Sequence, residues 1–310
     1  MKKKILVAVD GSRHASTAVG YAARMAGAIG DVEYLLIHIQ PGISQYLLDE
    51  AEKIPKVKSE LGKIIKKNKA AGLALLEAHR AKMVKGGVDA VRIEIQTRPR
   101  LVSVADDLLA LSHAGSYDAI VVGRRGIGYL HEMVMGSVAA NLANNSQITP
   151  IWIVDGDVSG EKTLLAVDGS SRSLRALDHL AFILGGQSEN RIHMIHVQPW
   201  LRDCCEIDMD EPPSPEVETA MLDGDRKCMR DFSSQAKAVL GQYGFDDDRI
   251  DLTTVAARVF AGKAILEAAG KGEYGTVVIG KGGESKSTFL GSVSRKVLQK
   301  ASNLAVWIVP

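Results

Sequence analysis

Three glycines and a serine in the first half of the chain have the types and the spacing of a phosphate-binding loop. Gly123 and Gly126 are separated by two residues, and nine further residues lead to Gly136 and Ser137. Glycine lets backbone amides approach an anion closely. A helix predicted over 138–145 starts beside this serine, so its free N–H groups and its dipole favour phosphate oxygens. The pattern predicts a site for a phosphorylated ligand.

An aspartate follows the first apolar run of each half of the chain. Asp10 comes directly after Ile5–Val9, and Asp168 comes directly after Leu164–Val167. Because a carboxylate repels phosphate, its expected partner is a ribose hydroxyl or an amino group of a base. The structural alternative is a turn or a helix N-cap, both common roles for aspartate. Neither of these roles excludes ligand binding.

The elements that would position these residues occur twice along the chain. Four segments recur in the same order: Ile5–Ser12 as Leu164–Ser170, Leu36–Pro41 as Met194–Pro199, Ile120–Gly123 as Val277–Gly280, and Ile151–Val154 as Val306–Val309. Self-similarity at a fixed period is typical of a repeated structural unit. The repeat predicts a tandem duplication, with one domain over 1–157 and a second over 158–310.

Each recurring segment is a continuous run rich in Val and Ile, which is typical of parallel strands buried on both faces. Helical patterns lie between these runs, over 15–28, 60–85 and 102–111 in the first copy. The first copy has predicted strands near 5–9, 33–39, 90–95, 118–122 and 150–154. The predicted fold is therefore α/β, with two tandem doubly wound domains, each a five-stranded parallel sheet with helices on both faces. Ligands of such sheets bind beyond the carboxyl ends of the strands.

The glycine loop of the second copy departs from the spacing of the first. Gly280-Lys281-Gly282-Gly283 is followed by only seven residues before Gly291-Ser292. Gly282 adds backbone freedom and Lys281 adds positive charge, so the shorter loop can still close over phosphate. The alternative is that the shorter loop narrows the pocket, and the spacing leaves both outcomes open.

The pattern Gly-x2-Gly-x9-Gly-Ser, the Val-Asp-Gly-Ser turn, the His-Ile and His-Val pairs ending the second strands and the Val-rich final strands resemble the universal stress protein family. The resemblance covers nearly the whole chain, twice over. It implies an adenine nucleotide alpha hydrolase-like fold, and a ligand that is ATP, ADP or AMP, with or without Mg²⁺. It also implies that Ile151–Val154 and Val306–Val309 pair within one chain as an intramolecular pseudo-dimer, leaving a further homodimer open.

The resemblance assigns binding residues in both copies and no catalytic or metal-binding residue. The first site comprises Ala8, Val9, Asp10, Ile39, Val122, Gly123, Arg125, Gly126, Gly136, Ser137 and Val138. The second site comprises Ala166, Val167, Asp168, Val197, Ile279, Gly280, Gly283, Gly291, Ser292 and Val293. By analogy with the family, Asp10 and the backbone of Ile39 hold the adenosine end of the ligand.

Other polar clusters are interpreted as structural or solvated. His193 and His196 alternate across a predicted strand, so a shared metal ion is not expected. Cys204 and Cys205 lack Cys-x-x-Cys spacing and are expected to be loop residues. The acidic, proline-rich segment 199–215 is expected to be a mobile loop, and a lid over the second site is a hypothesis from its position. The lysine-rich stretch 56–69 has no interleaved aromatic residues and is expected to be solvated.

The composition limits the class of protein and the kinds of partner. The 310 residues are 46% hydrophobic and 24% charged, as in globular proteins. Lys and Arg total 38 against 37 Asp and Glu, which argues against a nucleic-acid partner. Three cysteines fit a reducing compartment, and no apolar run is long enough to span a membrane. The expected location is the cytoplasm, with no membrane partner.

Three functions are compatible with these patterns. The favoured one is a nucleotide-binding stress or signalling protein that changes its interactions with a protein partner, not identified by the sequence, when nucleotide binds. The second is a slow ATPase or an autophosphorylating enzyme. Phosphoryl transfer needs a metal and a positioned nucleophile, and the sequence offers Ser137 and Arg125 but no Walker lysine motif. The third is a nucleotide-free scaffold in which both clefts are closed.

Overall fold

The repeated apolar runs form parallel strands in both halves of the chain. The computed structural model describes residues 2–126, 135–187, 189–199, 214–256, 260–282 and 290–310. Their contacts divide the chain into two units, one formed by residues 1–27 and 31–142, and the other by residues 28–30 and 143–310. Cys204, Cys205 and most of the acidic segment 199–215 lie outside the described residues.

The first unit alternates strands and helices. Its elements are β1 (Lys3–Ala8), α1 (Arg13–Ile29), β2 (Val32–Ile39), α2 (Gln45–Lys53), α3 (Pro55–Lys85), β3 (Ile93–Arg98), α4 (Val104–Ala114), β4 (Ala119–Gly123) and the start of α5 (Ser137–Asn145). The strands pair in parallel in the order β3-β2-β1-β4. The winding therefore reverses between β1 and β4, which is where open α/β sheets bind ligands.

The second unit repeats this arrangement. Its further elements are β5 (Ile151–Asp155), β6 (Lys162–Val167), α6 (Ser171–Leu184), β7 (Ile192–Val197), α7 (Pro215–Gln242), β8 (Ile250–Val255), α8 (Ala261–Lys271), β9 (Tyr274–Gly280), α9 (Ser292–Lys300) and β10 (Leu304–Val309). The strand order is β5-β10-β9-β6-β7-β8, with the winding reversed between β6 and β9. Only the β5–β10 pair is antiparallel among the described pairings of this unit.

The central strands are covered on both faces. Successive residues of a strand point to opposite faces of the sheet, and Leu6 and Val7 of β1 are both completely buried. Val277 and Val278 of β9 are buried to the same extent. Burial on both faces explains why these strands read as continuous apolar runs. The predicted α/β class, with helices on both faces of mostly parallel sheets, is confirmed.

The two final strands of the repeats pair with each other, as the resemblance implies. In the β5–β10 register Trp152 faces Trp307, and the two rings stack with centroids 3.8 Å apart. His179 of α6 packs edge-on against both rings, and its Nε2 accepts a hydrogen bond from Trp152 Nε1 at 3.3 Å. Complete burial lowers the pKa of His179 to about 3, so the ring is neutral and free to accept at physiological pH.

Strand and helix boundaries differ from the predictions by a few residues, for identifiable reasons. β3 begins at Ile93, three residues later than predicted, because the Asp89 side chain accepts from Val91 N and starts a 3-10 turn over Ala90–Arg92. α3 begins at Pro55, where a proline fits the first helical turn because its missing N–H is not needed there. Among the described residues, no helix combines the length and the apolarity needed to cross a bilayer.

Candidate functional site

A cavity of about 350 Å³ opens beyond the carboxyl ends of β1, β2 and β4 in the first unit. All of the residues predicted for the first site line it: Ala8, Val9, Asp10, Ile39, Val122, Gly123, Arg125, Gly126, Gly136, Ser137 and Val138. The lining also includes Ala15, Ile37, Val104, Leu108, Arg124 and Ala139. The structure thus brings together residues that are more than a hundred positions apart in the chain.

One wall of this cavity is apolar. Ile37 and Ile39 contribute from β2, and Val104 and Leu108 contribute from the first turn and a half of α4. Residues at i and i+4 lie on one face of a helix, and Ser103 caps this helix by accepting from Asp106 N at 3.1 Å. Val104 and Leu108 were not among the residues predicted from the sequence. An apolar i, i+4 pair directly after a capping serine is the signal that indicates them.

Both ends of the loop that follows β4 are closely packed glycines, and the packing is tightest at Gly123. A Cβ on Gly123 would lie 2.6 Å from the carbonyl carbon of His14, so this glycine lets the end of β4 pack against the first turn of α1. Gly136 N donates to Arg124 O at 2.9 Å, and a Cβ on Gly136 would lie 3.2 Å from the same oxygen. This hydrogen bond joins the two ends of the loop where α5 begins, and the N-terminus of α5 lines the cavity.

The Asp10 carboxylate has two roles in this geometry. Its Oδ1 accepts a hydrogen bond from Ser12 N at 3.0 Å. This bond forms a turn, one of the two structural roles expected for Asp10 beside ligand binding. The N-cap of α1 is Ser12 rather than Asp10, because Ser12 Oγ accepts from Ala15 N at 3.1 Å. The Asp10 Oδ2 lies beside Gly126, where a Cβ would approach it to 2.9 Å. The carboxylate therefore lies next to the glycine loop, in the same cavity as the apolar wall.

The second unit has a matching cavity of about 280 Å³ beyond the ends of β6, β7 and β9. Nine of its predicted residues line it: Ala166, Val167, Asp168, Val197, Ile279, Gly280, Gly291, Ser292 and Val293. The tenth, Gly283, lies outside the described residues. Six lining residues were not predicted, namely Ser173, Ile195, Ala261, Ile265, Gly282 and Ser294. Ala261 and Ile265 begin α8 with the same i, i+4 spacing that Val104 and Leu108 have in α4.

The shorter second loop is closed by the same hydrogen bond as the first. Gly291 N donates to Lys281 O at 2.9 Å, as Gly136 N donates to Arg124 O. Asp168 Oδ1 accepts from Ser170 N at 3.1 Å, which repeats the turn at Asp10. The loss of two residues therefore leaves the ends of the loop in the same arrangement.

The Lys281 side chain does not supply charge to this cavity, so that expectation is wrong. Its Nζ donates to the backbone oxygens of Asn144 and Ser146, at 2.6 and 2.7 Å. Lys281 is buried, and burial together with nearby Arg172 lowers the pKa of its ammonium group. The ammonium group binds the carboxyl end of α5, where backbone oxygens lack helical partners.

Histidines at the ends of the second strands hold the loops that carry the aspartates. His38 Nδ1 lies 2.9 Å from Val9 O, and His196 Nδ1 lies 3.0 Å from Val167 O. His196 Nε2 also contacts the Asp225 carboxylate at 3.0 Å. His193 instead pairs with Asp251 at 3.4 Å. In the part of the chain that the structure describes, no group of three or more His, Cys, Asp or Glu residues could hold a metal ion.

Known proteins resemble this chain in both sequence and fold. "Universal stress protein YxiE" of Bacillus subtilis (strain 168) is 30% identical over 156 residues, which is 50% of this chain and 99% of that protein. The crystal structure of a universal stress protein from Archaeoglobus fulgidus DSM 4304 matches with a TM-score of 0.64 and 19% identity, over 99% of this chain and 97% of that one. Protein PA1789 from Pseudomonas aeruginosa PAO1 matches with a TM-score of 0.55 and 14% identity, over 99% and 92%.

A sequence profile of the universal stress protein family matches residues 1–155 and again residues 161–310. The two matches together cover almost the whole chain and coincide with the internal repeat. The chain therefore belongs to the universal stress protein family, with the family's sequence present in two tandem copies.

Proposed function

We propose that this protein binds an adenine nucleotide, ATP, ADP or AMP, in each of the two cavities, and that binding changes its interactions with a protein partner. The observation that carries the proposal is the shape of each cavity. Each has an apolar wall, a carboxylate, and a glycine loop that ends at a helix N-terminus, all at the point where the winding of its sheet reverses. Family membership supports a role in stress responses.

The chemistry of the first cavity fits the parts of a nucleotide in order. Ile39, Val104 and Leu108 provide a surface for the flat base. The Asp10 Oδ2 lies beside Gly126 in the same cavity, where ribose hydroxyls can donate to it. The N-terminus of α5 and the hydroxyl of Ser137 are suited to phosphate oxygens. If Mg²⁺ accompanies the phosphates, it would offset the repulsion between them and the Asp10 carboxylate.

The two cavities favour a binding protein over a scaffold with closed clefts. Ligand pockets commonly measure about 300–1,000 Å³; the first cavity, of about 350 Å³, lies at the small end of that range, and the second, of about 280 Å³, lies just below it. Slow hydrolysis is a separate question, which release of inorganic phosphate from ATP by the purified protein would decide.

Nucleotide content and calorimetry test the proposal. The full chain is purified gently, denatured and analysed for released nucleotide, and then titrated with ATP in the presence of Mg²⁺. The control is the double variant Asp10→Asn/Asp168→Asn, in which each amide oxygen still accepts from the Ser12 or Ser170 amide while the charge is removed. We expect binding by the native chain and a loss of about tenfold or more in the variant. Absence of nucleotide and of calorimetric binding would contradict the proposal.

We further propose that the protein acts in the cytoplasm and that the paired strands β5 and β10 make each chain an intramolecular pseudo-dimer, with the domain boundary near residue 157. The small number of cysteines supports the location, and the pairing of Trp152 with Trp307 supports the internal dimer. Cell fractionation and sedimentation of the full chain, with and without ATP, test the two statements.

A further inference from the structure

The surface formed by α2 and the first half of α3 combines exposed apolar side chains with lysines. The apolar members are Tyr46, Leu47, Leu48, Ile54, Ile64 and Ile65, each between 38% and 85% exposed. The lysines are Lys56, Lys58, Lys63, Lys66, Lys67 and Lys69, all exposed. We call this set the α2–α3 surface. It belongs to the first unit and includes no residue that lines either of the two cavities described above.

The exposed apolar residues continue the line along which the two helices pack. Ala51 of α2 and Leu61 of α3 are buried, and the two helices are in contact. Leu47 and Leu48 precede Ala51 by four and three residues, so they lie one turn away on the same side of α2. Ile64 and Ile65 follow Leu61 by three and four residues and lie one turn away on α3. The apolar side of each helix therefore continues from the buried contact onto residues that are exposed to solvent.

Clustering distinguishes this surface from ordinary exposed residues. Single exposed apolar side chains are common on proteins, whereas several together mark an interaction site. The lysine-rich face by itself is compatible with simple solvation, as its lack of interleaved aromatic residues predicts. Solvation does not explain the exposed leucines and isoleucines beside it. A partner of this surface must therefore match apolar side chains as well as lysines.

The charge of the surface indicates the chemistry of its partner. Residues 56–69 contain six lysines and a single acidic residue, Glu60, which pairs with Lys63 at 2.7 Å. An occupant that complements this surface must present both carboxylates and apolar side chains. The stretch 56–69 is about 20 Å long as a helix, which matches a partner helix of about four turns.

The acidic face of α2 favours a protein helix over an anionic membrane. Asp49, Glu50 and Glu52 are exposed on α2, directly beside the apolar residues. A flat bilayer of anionic lipid that reached Ile64 and Leu47 would also meet these carboxylates and be repelled by them. A single helix laid along α3 meets fewer of these carboxylates than a flat bilayer does, and Glu50 is already paired with Lys53 at 2.9 Å.

We propose that the α2–α3 surface is the docking site for an acidic amphipathic helix of a partner protein. The partner helix lies along α3, with its apolar face on Leu47, Ile64 and Ile65 and its carboxylates on the lysines. This is the helix-in-groove mode of recognition. The inference is independent of the proposed nucleotide binding, because none of these residues lines either cavity.

The first test uses the full chain and a fluorescein-labelled 18-residue peptide of Leu, Glu and Ala, patterned as an amphipathic helix, together with its scrambled isomer. Fluorescence anisotropy measures both affinities over a range of salt concentrations. We expect the patterned peptide to bind at least tenfold more tightly than the scrambled one, with affinity falling as salt rises. Equal affinity of the two peptides, or no binding of the patterned one, overturns the proposal.

Two variants separate the basic and the apolar parts of the surface. Lys63→Glu/Lys66→Glu/Lys67→Glu should weaken binding at least tenfold and reduce its salt dependence. Ile64→Ser/Ile65→Ser should weaken binding at least fivefold while its salt dependence persists. The matched control is Val84→Ser/Lys85→Glu, at the other end of the same helix, which should bind as the native chain does. Circular dichroism establishes that each variant is folded.

Three outcomes with other binding partners also overturn the proposal. The first is binding of phosphatidylserine vesicles more tightly than the peptide, with loss in the lysine variant, which would indicate a membrane site. The second is tighter binding of single-stranded oligonucleotide than of peptide. The third is self-association of the native chain that the isoleucine variant abolishes, because the surface would then be occupied by a second copy.

Discussion

A side chain added at Gly123 must collide with backbone. Its Cβ would lie 2.6 Å from the carbonyl carbon of His14 and 2.9 Å from Ala15 N, and backbone cannot rotate away as a side chain can. Gly123→Ala should therefore reduce the free energy of unfolding by about 1–3 kcal/mol, as measured by urea denaturation. Gly27→Ala is the control, because a Cβ there meets nothing within 4 Å, and it should stabilise by about 0.5–1 kcal/mol. An equal effect of the two substitutions would contradict this account.

Lys281 illustrates how one residue can contribute to a site through its backbone alone. Its carbonyl closes the second glycine loop, while its ammonium group binds the oxygens of Asn144 and Ser146. Lys281→Met removes only the ammonium group, so two carbonyls lose their donor. We expect a loss of about 1–3 kcal/mol in the free energy of unfolding.

The same substitution should leave the Kd for ATP at the second cavity within about threefold of the native value, because the ammonium group faces away from the ligand. Calorimetry on Lys281→Met in an Asp10→Asn background isolates that cavity. The exposed residue Lys271 provides the control, Lys271→Met, which should change neither quantity. A large rise in Kd without loss of stability would restore the direct role in phosphate binding that the sequence indicates.

Among the secondary-structure elements, the pairing of β5 with β10 makes the stability of the second unit depend on pH, because the buried His179 packs against it. His179 has a pKa near 6.5 when the chain is unfolded and about 3 when it is folded, because burial disfavours its charged form. Between these values the unfolded state binds the additional proton. Stability is therefore fully present above pH 6.5 and falls as pH is lowered, by at most about 1.4 kcal/mol per pH unit from this group.

The variant His179→Gln tests this contribution. Glutamine keeps an oxygen that can accept from Trp152 Nε1 but does not titrate. Between pH 6.5 and 4, the unfolding free energy of the variant should fall less steeply than that of the native chain. The carboxylates that also titrate in this range are the same in both proteins, so the difference in slope isolates His179. Parallel slopes would show that the ring is hydrated or already charged in the folded state.

The strands could be predicted from the sequence because each central strand is buried on both faces and therefore forms an unbroken apolar run. The same rule does not reveal Val104 and Leu108, which line the cavity from a helix that also buries Ala105 and Leu111. Nor does it reveal the contacts of Lys281, because Asn144 and Ser146 lie more than 130 positions away along the chain. Local composition predicts elements well, whereas side-chain partners depend on the assembled fold.

At the scale of the whole molecule, duplication predicts two independent binding events. Each cavity has its own aspartate, apolar helical pair and closed glycine loop, and each lies entirely within one unit. A ligand at a hundred times its Kd stabilises the state that binds it by about 2.7 kcal/mol. Saturating ATP should therefore slow amide hydrogen exchange in β1–β4 and in β6–β10 of the native chain.

Single substitutions should separate the protection of the first unit by ATP from that of the second unit. In Asp10→Asn, ATP at a concentration close to the Kd of the native chain should protect peptides from β6, β7 and β9 more strongly than those from β1, β2 and β4. In Asp168→Asn the pattern should reverse, and each variant serves as the control for the other. Protection confined to the first unit of the native chain would show that the shorter second loop prevents binding although its ends are held by the same hydrogen bond. The two-residue deletion would then have converted one copy of a duplicated site into a structural unit.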